Sequence, residues 1–95
     1  MNPDAIILAA CETYLRTCDK ANPDDTTIYA SGGNVPFTDA ASHLKESITV
    51  HIQQGGTPET FDLPGWLSTN YAPDLTTPTN ASSALGLQAL FDAMA

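Results

Sequence analysis

The stretch TDAASHLKESITVHIQQ, residues 38–54, decides the fold, because it carries two incompatible periodicities. Ala41, Leu44, Ile48 and Ile52 recur every three or four residues, the spacing of one helix face. Ile48, Val50 and Ile52 also alternate with the polar Thr49 and His51 and are β-branched, as strands prefer. The helical stripe continues in phase from Ala41, and Gly55-Gly56 supplies a stop. The spacing therefore predicts a helix over 38–54 and a mainly α fold. The alternative is an α+β fold with a short strand at 48–53.

The flanking segments read the same way. Asn2 can cap a helix, Pro3 suits its first position and Asp4 complements its positive end. Leu8, Cys11, Leu15 and Cys18 then follow at helical spacing, flanked by Ile7 and Tyr14. Glu12 and Arg16 form an i,i+4 pair in the favoured order. A helix over 3–18 follows. At the other end Ala84, Leu87, Phe91 and Met94 form a stripe widened by Leu85 and Leu90, which predicts a third principal helix over 82–94. The residues between are less regular. Thr26 to Ala30 reads as either a short helical element or a brief strand, ended by Ser31-Gly32-Gly33-Asn34. Thr57-Pro58-Glu59 and Pro64-Gly65-Trp66-Leu67 each open a short helical turn, the second ending near Asn70. Pro73, Pro78 and several Thr make residues 71–80 an extended connector. Asn22-Pro23-Asp24 and Ala72-Pro73-Asp74 echo the first Asn-Pro-Asp as repeated turn chemistry rather than an internal repeat.

Composition bounds the function. The chain of 95 residues suits one small globular domain, 1–95. Only 3 Lys+Arg stand against 11 Asp+Glu, for a net charge of −8. Arg16, Lys20 and Lys45 are the cations, and none follows Lys45. Three scattered cations cannot build a phosphate-binding stripe, which argues against direct nucleic-acid binding and against an anionic membrane surface. An anionic face does steer association with a basic protein. Met1-Asn2-Pro3-Asp4 lacks the basic start of a signal peptide and no apolar run reaches spanning length, so the expected location is cytoplasmic. Asn80-Ala81-Ser82 matches a glycosylation sequon that such a location leaves unused.

Few constellations suggest chemistry. Cys11, Cys18, His43 and His51 are zinc-ligand types, but the pairs lie seven and eight residues apart. Two turns of helix put Cys11 and Cys18 roughly 10 Å apart, too far to share an ion or a disulfide. Core packing suits the cysteines better. Asp39, Ser42 and His43 are the residue types of a hydrolytic triad, and Asp39 can face His43 at i,i+4. No G-x-S-x-G turn activates the serine, so a solvated helix face is the plainer reading. The glycine doublets match no phosphate loop, and Asp24-Asp25 sits where carboxylates cap helices. The sequence predicts no catalytic residue, metal or cofactor.

Trp66 is the only tryptophan, set in a loop-like segment near Phe61 and Tyr71. It suits either an interface anchor or a lid on a small core. The last helix is apolar on more than one face and must be covered, by the chain's own helices or by another molecule. The expectation is a non-enzymatic protein-protein interaction module, docking through Trp66, Leu85, Leu87, Leu90, Phe91 and Met94 onto another protein or a second copy. Such a chain would be part of a larger assembly or an accessory or inhibitor protein; those of phages and mobile elements share this compositional style. The alternatives are an acidic inhibitor occupying a basic nucleic-acid-binding surface on a partner, and a small enzyme or ligand-binding domain using His43 and Asp39.

Overall fold

Two helices lying side by side carry the fold, α1 (Pro3–Cys18) and α2 (Phe37–Gln53). In the computed structural model, residues 3–18, 26–28, 33–71 and 80–94 are described. Contacts along the α1–α2 pair show that it is antiparallel. Asp4 bridges to Lys45 at 3.4 Å near one end. At the other end the Arg16 guanidinium lies 4.7 Å from the centre of the Phe37 ring. Arg16 also reaches Glu12 at 3.2 Å, the i,i+4 pair legible in the sequence.

Residues 48–53 are helical, so the strand alternative for this stretch does not hold. The deciding difference is the direction of Val50. On a strand Ile48, Val50 and Ile52 would share a face, whereas on a helix Val50 turns away from the other two. Ile48 is fully buried, Ile52 packs partly against the core, and Val50 is 45% exposed. The β-branched Thr49 is accommodated by donating its hydroxyl to the Lys45 carbonyl at 2.8 Å.

Both ends of α2 are fixed by backbone hydrogen bonds. Its first residue is Phe37, whose N–H donates to Thr26 O at 2.9 Å. That bond belongs to a small antiparallel pairing of β1 (Thr27–Ile28) with β2 (Val35–Pro36), in which Ile28 faces Val35. The ambiguous segment after Thr26 therefore begins as a strand, with Ile28 buried in the core. At the far end, Gly55 adopts φ 81°, while Gly55 N–H donates to Ile52 O and Gly56 N–H to His51 O. This is a Schellman stop, and its left-handed position favours glycine.

A 3-10 turn (Pro58–Thr60) leads to α3 (Leu63–Asn70), and the chain closes with α4 (Asn80–Met94). The Asp62 carboxylate caps α3 by accepting the Gly65 N–H at 3.1 Å. The expected connector lies outside the described residues except for Tyr71 and Asn80. One core joins all the elements, built from Cys11, Leu15, Ile28, Phe37, Ala40, Ala41, Leu44, Ile48, Phe61, Leu63, Leu67, Tyr71, Leu87, Leu90 and Phe91. Over its described side chains, α4 is not apolar all round. Leu87, Leu90 and Phe91 point inward, and Gln88, Ala89, Asp92 and Ala93 face out. The outward apolar residues among the described side chains are alanines, which are small enough to tolerate water.

Candidate functional site

α2 presents a ridge between two shallow grooves, with Glu46 and Val50 bordering both. On the α1 side a depression of about 430 Å³ is lined by Leu8, Ser42, Lys45, Thr49 and Gln53 together with the ridge residues. On the other side one of about 510 Å³ is lined by His43, Ser47 and the same two residues. Glu46 and Val50 are exposed.

The second groove abuts an aromatic group held in place by hydrogen bonds. Trp66, from α3, donates its indole N–H to Ser47 Oγ at 3.0 Å. Its ring lies 4.9 Å from the His43 ring and 5.3 Å from that of Tyr71, centre to centre. Tyr71 Oη and His43 Nδ1 are hydrogen-bonded at 3.1 Å. Burial, and secondarily the Asp39 carboxylate, push the Tyr71 hydroxyl above its ordinary value, so it stays a phenol able to donate.

The triad types are not assembled. His43 bonds to Tyr71 rather than to Asp39, and Ser42 lines the α1-side groove while His43 lines the other. His51 is engaged elsewhere. Its Nε2–H reaches Thr60 Oγ1 at 2.9 Å and Thr57 O at 3.1 Å, pinning the 3-10 turn beneath the end of α2. Cys11 is fully buried, and its thiol is pushed up to about 11 by burial, an effect that the nearby Lys45 ammonium only partly offsets. Such a thiol is an inert core group. Cys18 ends α1, with its side chain outside the described residues. Among the described residues no three His, Cys, Asp or Glu groups converge as a metal site would need. No helix among them is long and apolar enough to cross a membrane.

The docking residues read from the sequence are separated by the fold. Leu87, Leu90 and Phe91 lie in the core, and Met94 packs partly against it. Phe91 is 4% exposed and meets Phe61 edge-on at 6.1 Å. Leu85 lies in α4 with its side chain outside the described residues. Trp66 is half-buried beside the α2 ridge. A further groove of about 440 Å³ lies between α1 and α4, floored by Ala9, Ala10, Thr13, Thr17 and Ala89.

No family model, curated protein or solved structure matches the chain. The site therefore rests on its own geometry. Two of its members, Ser47 and Tyr71, have roles that local sequence does not signal. Each is defined by a partner 19 or 28 residues away.

Proposed function

We propose that the chain is a non-enzymatic protein-binding module that docks through the α2 ridge and the Trp66 cluster beside it. The half-buried Trp66, locked by Ser47 and packed at a tilt against His43 and Tyr71, carries this reading. An indole offers large contact area with few rotors to freeze, and such groups dominate binding energy at interfaces, while the buried Tyr71 backs this one from within. Here they are already fixed before any partner arrives. Exposed Val50 extends the apolar surface by about one helical turn. The reading transfers docking from the apolar stripe of α4 to α2 and α3, because Leu87, Leu90 and Phe91 are engaged in the chain's own core. A net charge of −8 supports a protein rather than a nucleic acid as partner. The module serves as part of a larger assembly or as an inhibitor of the protein it covers.

The test is affinity capture from the cells that make the protein, with quantitative mass spectrometry on three baits: the natural chain, Val50→Arg and Thr13→Arg. The α2 substitution places a charge on the ridge, and the α1 substitution places one in the α1–α4 groove. A protein lost with Val50→Arg and retained with Thr13→Arg is the expected result. A partner lost only with Thr13→Arg would move the docking face to α1 and α4.

A further inference from the structure

We infer that the α2 ridge takes a basic amphipathic helix from its partner protein, with two cations on Asp39 and Glu46 and an apolar side chain against Val50 and Trp66. The inference rests on the protein-binding reading and adds the chemistry of what docks.

The spacing on α2 supports it. Asp39, His43, Glu46 and Val50 follow at intervals of four, three and four, which keeps them along one side of the helix. Asp39 and Glu46 are two turns apart, roughly 10 Å along the axis, and Val50 lies roughly 6 Å further on. A partner helix with Lys or Arg at i and i+7 presents its cations at that same repeat. His43 lies between the two carboxylates in sequence, and its ring and that of Trp66 beside it, both half-buried, offer aromatic surface to the stems of long cationic side chains.

The two described cations, Arg16 and Lys45, are each held by a carboxylate of α1. Lys45, next to Glu46 in sequence, turns toward α1 and bridges to Asp4. No Lys or Arg occurs from Glu46 to the C-terminus. Asp39 and Glu46 are exposed, and the ion pairs found among the described residues lie on the α1 side. An anionic rim around a fixed apolar centre is complementary to a cationic, amphipathic segment and repels acidic ones.

The probe is a synthetic helix of leucine, alanine and arginine with arginines at i and i+7, added to the full chain. Binding is followed by Trp66 emission and by backbone amide shifts. Saturable binding with shifts centred on Asp39, His43, Glu46, Val50 and the Trp66 indole is expected. The Asp39→Asn, Glu46→Gln pair should weaken it about five- to tenfold. Removing equal charge elsewhere, with Glu59→Gln and Asp92→Asn, should change it less than about twofold. Circular dichroism checks that both pairs fold. Equal weakening by the two pairs would make the attraction general and overturn the site. Equal binding by a helix with serine in place of leucine would overturn the apolar part, and shifts centred on Ala9, Thr13 and Ala89 would overturn the location. Absence of binding would overturn the basic class. A captured partner that depends on Val50 but docks no basic segment would also overturn it, while leaving the protein-binding reading intact.

Discussion

Tyr71 and His43, 28 residues apart in sequence, are joined by a hydrogen bond of 3.1 Å that ties the residue after α3 to the middle of α2. Together with the bond from Trp66 to Ser47, it fastens α3 along α2 through polar groups, while Leu63 and Leu67 fill the core beneath. Removing the hydroxyl alone isolates the contribution of this bond. Tyr71→Phe keeps the ring and should lower stability by about 1 kcal/mol, the net worth of a partly buried hydrogen bond. Urea unfolding measures the loss. Nitrogen shifts of the His43 ring should change with it, because Nδ1 loses its hydrogen-bond partner.

A second expectation concerns alkaline pH. An unfolded cysteine thiol ionises near 9.0, whereas Cys11 in the fold ionises near about 11 because burial penalises the thiolate. Between those values only the unfolded chain gains by releasing the proton, so the contribution of Cys11 to stability is flat below about 9 and falls as pH rises toward 11. Tyr71, raised from 10.0 by burial and by Asp39, acts in the same direction. Urea midpoints from pH 7 to 11 should fall for the natural chain and fall less steeply for Cys11→Ala. Thiol reagents should leave Cys11 unmodified at pH 8 until denaturant is added.

Gly56 should tolerate no side chain while His51 is present. A Cβ there would fall on the His51 imidazole, whose Nε2–H holds the Thr57–Thr60 turn. Gly56→Ala should cost about 1–3 kcal/mol by displacing the ring and its hydrogen bonds. In a His51→Ala background the same substitution should cost much less, and a double-mutant cycle by chemical denaturation reads the difference.

Leu87 and Val50 should separate folding from docking. Leu87→Ala removes a fully buried side chain from the core and should destabilise the chain by about 2–5 kcal/mol. Val50→Ala, on the exposed ridge, should change stability by less than about 0.5 kcal/mol and weaken partner binding instead. Thermal unfolding and binding measured on both variants test the division.

Much of the helical framework was legible in the sequence because its signals are local. Pro3 and Asp4 mark the start of α1, and the Gly55-Gly56 stop ends α2 through main-chain geometry that glycine permits. The buried face of α1 is shifted from the stripe read at Leu8, Cys11, Leu15 and Cys18. Ile7 and Tyr14 pack against the core beside Cys11 and Leu15, while Leu8 lies partly open in the groove beside α2. The first strand was ambiguous in the sequence and the second, Val35–Pro36, gave no strand signal, because their pairing depends on contacts between Thr26–Ile28 and Val35–Phe37 that no local periodicity encodes. At the site, Trp66 stood out by its rarity. Its anchor Ser47 did not, because a serine on a helix carries no sign of the indole that will find it. The docking role read into Leu87, Leu90 and Phe91 followed from an apolar stripe, and a stripe cannot say whether its cover comes from within the chain.

The engagement of Arg16 and Lys45 has a consequence for proteolysis. Trypsin cuts after cations and needs several residues of extended chain around the bond, yet both of these sit inside helices and hold ion pairs. Arg16 lies in the last turn of α1, whereas Lys45 lies mid-helix in α2, so cleavage at Lys45 reports opening of the α1–α2 pair rather than fraying of an end. Once opened at Lys45, the chain releases residues 46–95 as a single tryptic fragment, since no further Lys or Arg interrupts it. At trypsin levels where cleavage outpaces reclosing, the rate at which that fragment accumulates measures the opening, and a ligand seated across Asp39, Glu46 and Val50 should slow it.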